Sequence, residues 1–326
     1  MGRTHKILFF FLTVLIVAGG GAMYWGNAEF KQPGPLATER IVVIERGAST
    51  TAIARDLNRA GVLTNSLVFR LAVRLSGAGK PLKAGEYAFP ARISPESVLE
   101  LLRSGRTVVR RVTFAEGLST VEMLSQLART PGLIGNVSIS PGEGTLLPET
   151  YHFSYGDKRR DILRRMTNAM QDLVANLWNN RDEGLPLKSP GEALVLASIV
   201  EKETALAVER PRIAAVFINR LKKGMRLQSD PTVVYGLIDG KRPLGRKLLG
   251  ADLKKPSPFN TYVINGLPPL PISNPGAAAL EAVLRPAKSQ EIYFVADGSG
   301  GHVFSKTLAE HNRNVAKWRK LNRANQ

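Results

Sequence analysis

The 326-residue chain has no cysteine, which excludes disulfides, thiol catalysis and cysteine-ligated zinc. Its four histidines, His5, His152, His302 and His311, form no HExxH or other metal-ligand spacing, so neither a protein-bound metal nor a cofactor is expected. Aromatics are sparse at 7%, and no basic stretch interleaves with them as a single-strand nucleic-acid binder requires. Negative charge is also scarce: 27 Asp and Glu stand against 45 Lys and Arg, a formal net charge of +18. Such an excess suits an anionic partner, whether nucleic acid, acidic lipid headgroups or a carboxylate-bearing polymer, and specifies no more.

What is present begins at the N-terminus. Arg3, His5 and Lys6 precede "ILFFFLTVLIVAGGGAMYW", residues 7–25, an uncharged stretch of 19 residues. That is close to the roughly 20 residues that cross a bilayer. Positive charge ahead of it places residues 1–6 in the cytoplasm, and Tyr24 and Trp25 suit the far interface. The competing reading is a cleaved signal peptide, because small residues follow the most apolar core. Both readings export the remainder, which argues against a nucleic-acid partner. Residues 26–40 carry two prolines and a glycine near their centre and read as a linker.

The rest is long enough for two domains. A β-branched strand at 41–45 precedes a helix capped by Ser49, a second helix after Asn65 and a returning strand at 84–90. "SPESVLELLRSG" is a marked helix, with Ser94 as N-cap, Pro95 at the first position and Gly105 as stop. Residues 112–128 repeat the strand, turn and Ser-capped helix, with Ser119 and Glu122 spaced as a capping box. Helices are expected at about 158–181, from Pro190 to about 204, and from Pro211 to Gly224. Between 226 and 275 the chain reads as loop-rich, with Asp230–Pro231 a turn signal. Asn274 and Pro275 cap a further helix, "EIYFVADGSGGHVF" is a hairpin, and a last helix begins at Thr307 with Glu310 completing its capping box.

The stretch "LASIVEKETALAVERPRIAAVFINRL", residues 196–221, runs an apolar helix into Glu201 and Glu203. On the helical repeat Glu203 shares a face with Val200, Ile199 and Leu196, whereas Glu201 shares one with Ser198, Ala197 and Leu194. Glu203 is therefore expected against the core, where desolvation raises a carboxyl pKa toward that of a general acid. Glu201 reads as a surface residue or one that orients its neighbour. The bland alternative pairs Glu203 with Arg210 or Arg220. Nearby, Asn219, Gln228, Asp230, Tyr235, Asn260 and Tyr262 supply the amide, hydroxyl and aromatic groups that carbohydrate recognition uses, although turn or capping duty explains each one singly.

"LASIVEKET", "VFINRL…GMRLQSDPTVVYG", "FNTY…GLPPLPISNPG" and "YFVADGSGGHVFSKTLAEHN", in that order, resemble the YceG-like (MltG) endolytic lytic transglycosylases of bacterial cell walls. Leu270 stands where that family usually shows glycine, and Phe259 where tyrosine is common. The resemblance implies an α+β fold: a transmembrane helix at 7–25, a LysM-like small α/β subdomain at 41–107, and a larger α+β catalytic domain at 108–326. It implies peptidoglycan glycan strands as substrate and Glu203, the second glutamate of "EKET", as the catalytic group. It also implies a single-pass inner-membrane location with the catalytic domain outside the cytoplasm, and membrane peptidoglycan synthases as candidate partners. Glu201, Asn219, Gln228, Asp230, Tyr235, Asn260 and Tyr262 are candidates for holding the sugar or orienting the catalyst. His302 and His311 are expected to be structural. The rival readings are a muramidase-type hydrolase and a glycan-binding scaffold without catalysis.

Overall fold

The computed structural model describes residues 3–77 and 81–324; the first two residues of the expected cytoplasmic segment lie outside the described residues. The chain divides into two compact units, one of residues 1–110 and 152–157 and the other of residues 111–151 and 158–326. Helices combine with three two-stranded sheets among the described residues, an α+β arrangement.

The first unit begins with α1 (Arg3–Lys31), long and apolar enough to cross a membrane. The helix takes in residues 26–31, which the sequence suggested were linker. The reason is local: Pro33 drives the residue before it out of the helical region, so the helix runs until just short of Gln32. Phe30 in its last turn packs on the unit's core. β1 (Arg40–Ile44) is followed by α2 (Thr50–Arg59) and α3 (Ser66–Leu75), and then by β2 (Gly85–Phe89), which pairs antiparallel with β1 from Arg40↔Phe89 to Ile44↔Gly85. Ser49 and Asn65 accept the first free amides of α2 and α3, as their positions in the sequence imply. α4 (Pro95–Ser104) has Ser94 and Gly105 as its caps. Leu57, Phe69, Tyr87, Phe89 and Leu102 close the core between these elements.

β3 (Val109–Thr113) pairs with β4 (Thr150–Ser154), and α5 (Thr120–Arg129) carries the Ser119/Glu122 capping box. The second unit continues with α6 (Arg159–Asn179), α7 (Pro190–Glu203), α8 (Arg210–Lys222), α9 (Asp230–Ile238) and α10 (Ala277–Leu284). The hairpin β5 (Tyr293–Ala296) and β6 (His302–Ser305) precedes α11 (Leu308–Ala324). α7, α8 and α10 pack on one another around Leu196, Ile199, Val200, Phe217, Leu280 and Val283. Both α7 and α8 are therefore buried nearly all round, beyond the one apolar face of Ile213, Val216, Phe217 and Leu221 that the α8 sequence shows.

Two expectations are corrected. The stretch read as loop-rich contains α9: Asp230 and Pro231 open a helix, because proline at a first-turn position costs no hydrogen bond. Asn274 does not cap α10, whose N-cap is Gly276. Instead the fully buried Asn274 side chain accepts from Leu146 N at 2.9 Å and donates to Leu118 O, Thr120 Oγ1 and Glu143 Oε1 at 3.1 Å each. Three loops of the second unit are thus tied through one amide. Asn274→Ala leaves the Leu146 amide and several acceptors unpaired, and chemical denaturation is expected to read a loss of about 3 kcal/mol.

Candidate active site

α7 ends because Thr204 is extended, and its last turn brings two carboxyls to the negative pole of a buried helix. Their fates differ. Glu201, for which the sequence left open a surface place or one orienting its neighbour, is not at the surface but buried: Oε1 accepts from Arg210 Nη2 at 3.0 Å and Oε2 from Gly276 N at 2.9 Å. Desolvation still raises its pKa above the ordinary value: the Gly276 bond opposes it, Glu116 adds to it and Arg210 opposes it. The correction arises because Arg210, itself buried, lies nine residues on and folds back across the connection; it also donates to Glu116 at 2.9 Å. Glycine at 276 leaves room for the Glu116 side chain: a Cβ there would stand 1.8 Å from Glu116 Oε1 and would oblige that carboxylate to shift away from Arg210.

Glu203 has no arginine partner among the described residues. Arg210 serves Glu201 and Glu116, and Arg220 donates to the carbonyls of Ile292 and Leu227 at 2.7 Å each. Glu203 Oε1 instead accepts from the Ser229 hydroxyl at 2.5 Å. Desolvation pushes its pKa up to about 7; the Ser229 bond lowers it, the charge of Asp230 raises it, and His302 and Arg220 lower it. At neutral pH the carboxyl therefore exists in both protonation states, the condition for a group that gives and takes a proton.

Ser229 is positioned by strain and by buried hydroxyls. Gln228 before it has φ +53°, a left-handed conformation that costs a non-glycine residue about 1 kcal/mol. Ser229 N then donates to Thr261 Oγ1 at 2.9 Å, and its carbonyl accepts from Thr232 Oγ1 at 2.6 Å. Beside it Tyr262 donates its hydroxyl to Asp230 Oδ1 at 2.6 Å. A cleft of 460 Å³ borders this cluster through Asp230 and Lys202, the neighbour of Glu203 in the chain, with Val234, Tyr235 and Arg242 among its other lining residues.

Of the sequence candidates, Glu203, Asp230 and Tyr262 come together through contact and charge. Tyr235 lines the cleft, but its hydroxyl donates to Glu143 at 3.3 Å. Gln228 sets the turn, and its side-chain oxygen accepts from Arg220 at 3.5 Å. Asn219 and Asn260 are committed elsewhere. The first donates to Ser289 O and Glu291 O at 2.9 and 3.0 Å, and the second to Leu253 O and Lys255 O at 3.1 and 2.8 Å. His311 fits the structural expectation, stacked on Tyr293 at 5.0 Å between centroids. His302 does more: its Nδ1 lies 2.7 Å from Glu209 Oε2, and it is among the groups that lower the Glu203 pKa. Burial pushes the Glu209 carboxyl up, but the His302 hydrogen bonds outweigh it and leave the pKa below its ordinary value. Sequence reasoning passed over Ser229 and Glu209, and it offered Arg210 to Glu203 where the fold gives it to Glu201 and Glu116. For Ser229 the only signal was its place within "LQSDPT".

The raised Glu203 pKa carries a stability cost with a definite sign. The folded state holds a proton that an unfolded carboxyl loses near its ordinary value, so stability falls as pH rises from about 4.5 to about 7. Glu203→Gln is expected to be more stable than the parent by about 2–3 kcal/mol at pH 8 and nearly equal at pH 4, read by urea denaturation at both pH values.

A family model described as the YceG-like family matches residues 42–317. The chain is 30% identical to the endolytic murein transglycosylase of Bacillus subtilis (strain 168), covering 92% of this chain and 90% of that protein. It is 27% identical to the endolytic murein transglycosylase of Streptococcus pneumoniae D39, covering 97% of this chain but spanning only 65% of that longer protein. The 2.6 Å crystal structure of a yceG-like protein from Listeria monocytogenes aligns with TM-score 0.51 and 32% identity, over 84% of this chain and 98% of the other. The matched span includes α7, the Ser229 turn and the His302 hairpin: this chain belongs to the YceG-like family.

Proposed function

We propose that the chain is an endolytic murein transglycosylase, cleaving the β-1,4 bond between N-acetylmuramic acid and N-acetylglucosamine without water as nucleophile. The names of its relatives support the substrate. The observation that carries the mechanism is the Glu203 carboxyl, raised to about 7 and held by a single hydroxyl.

In this reading the protonated Glu203 gives its proton to the glycosidic oxygen as the C1–O bond breaks. The carboxylate then takes the proton of the muramoyl C6 hydroxyl, whose oxygen closes on C1 to form a 1,6-anhydro ring. Glu203 ends protonated, as it began, so one carboxyl completes a cycle for which ordinary glycosidases use two. Asp230, close enough to raise the Glu203 pKa and engaged by Tyr262, would keep that proton available near neutral pH. Being a second carboxyl nearby, Asp230 also favours the hydrolase as second reading, with Asp230 as base.

The same proposal takes α1 as a single-pass inner-membrane anchor with the catalytic unit outside the cytoplasm. It takes the β1-α2-α3-β2 unit as a LysM-like glycan-binding module, and nascent strands beside membrane synthases as the setting.

Mass spectrometry of products from uncrosslinked glycan strands tests the chemistry. Internal fragments ending in 1,6-anhydro-muramic acid are expected, with Glu203→Gln slower by about three orders of magnitude. Ordinary reducing ends would make the enzyme a hydrolase, and retained binding with no cleavage by the parent would make it a scaffold.

The pH profile tests the proton's source. log(kcat/KM) is expected to fall with unit slope above about pH 7, the acid form of Glu203 being lost. Asp230→Asn removes a charge that raises the pKa and should move this limb to lower pH. Ser229→Ala removes a bond that holds the ionised form and should move it to higher pH.

A further inference from the structure

α3 presents two different faces. Val68 and Phe69 are buried in the first unit's core, with Val73 packed against it. On the opposite face Leu67, Leu71 and Leu75, spaced i, i+4, i+8, are 56%, 49% and 84% exposed. Between them stand Arg70 and Arg74, both exposed and without an ion pair or hydrogen bond among the described residues. The helix carries no acidic residue. Leu67, Arg70, Leu71 and Arg74 line a groove of 440 Å³ together with Thr50 and Leu82.

Three solvent-facing leucines cost free energy in water, and two unpaired guanidiniums ask for anions. What lies close by selects the occupant. α1 packs directly against α3 and α4, and Phe30 in its last turn, partly buried, packs against the same core. The apolar stretch of α1 ends at Trp25, five residues earlier, or about 8 Å along a helix axis. Headgroup layers add about 5–8 Å beyond the hydrocarbon on each side, and an arginine stem can extend its charge toward them from apolar surroundings. With α1 spanning the bilayer, α3 is held within reach of the headgroups.

We propose that this face of α3 rests on an anionic lipid surface, its leucines at the headgroup–acyl boundary and Arg70 and Arg74 on lipid phosphates. The inference depends on α1 being membrane-spanning, which is part of the functional reading above, and not on the chemistry at Glu203. A protein surface could meet leucines and arginines as well, but nothing besides the lipid is tied to this unit by a helix that packs on α3.

The absence of cysteine makes the test clean. Single-cysteine full-length proteins, Leu12→Cys and Leu71→Cys, are labelled with a polarity-sensitive fluorophore. They are then reconstituted in vesicles of phosphatidylcholine with phosphatidylglycerol or of phosphatidylcholine alone, each containing a lipid with a shallow nitroxide quencher. The expected result is quenching of the Leu71 label in anionic vesicles, weakened in neutral ones. Adding Arg70→Glu and Arg74→Glu should lower the ratio of docked to undocked α3 by at least about thirty-fold, the loss of two phosphate contacts before any repulsion of the new carboxylates. A Leu71 label that stays aqueous while the Leu12 label is lipid-buried overturns the docking and leaves the anchor standing. An aqueous Leu12 label overturns the anchor, and the docking with it. Leu71 quenching that is insensitive to both lipid charge and the arginine reversals also overturns it.

Discussion

Two carboxyls at the end of a buried helix cannot both remain ionised and unpaired, and this constraint governs how the second unit is arranged. Desolvation disfavours each charge, and the C-terminal pole of α7 disfavours both. The chain resolves the two in opposite ways. Glu201 receives a buried arginine and a backbone amide, so its environment supports an ion pair. Glu203 receives one hydroxyl and a nearby like charge, so its environment supports a proton. A structural carboxylate and a chemically available acid therefore stand two residues apart, and what separates them is the partner each is given.

Those partners come from distant parts of the second unit. Arg210 arrives from the start of α8, the Gly276 amide from the start of α10, and Ser229 from the turn before α9. Each delivery depends on a local peculiarity. Gly276 leaves room for the Glu116 side chain beside it, and Gln228 accepts a left-handed backbone that aims the next residue. Thr232 and Thr261 saturate the backbone of Ser229 with buried hydroxyl contacts, so the strain is held in place by satisfied hydrogen bonds. Asn274 performs the same service for the loops around Leu118, Glu143 and Leu146.

Sequence reasoning read some of this well and some of it poorly. Caps were legible because capping is local: Ser49, Asn65, Ser94 and Ser119 act within three residues of themselves. The face of Glu203 was legible too, because its i−3, i−4 and i−7 neighbours are large and apolar. The position of Glu201 was not, since its smaller neighbours suggested a surface and its partner arrives from a different helix. α9 was hidden because Asp-Pro signals both a turn and a helix start, and only packing beside α7 decides between them. Asn219 and Asn260 look like sugar ligands in the sequence, but their amides hold backbone carbonyls in the fold.

The sequence by itself determined the elements with local causes: an apolar N-terminal helix, capped helices, a hairpin, and a glutamate with its back to a core. Ordered motifs also carried the family. Only the tertiary structure decided which carboxyl is ion-paired and which is left to exchange its proton near neutral pH, because a pKa depends on charges and hydrogen bonds brought together from residues far apart in the chain. The same holds for α3. Its leucines and arginines are visible in the sequence, but which of its faces the core covers is settled only when α1, α2 and α4 pack against it.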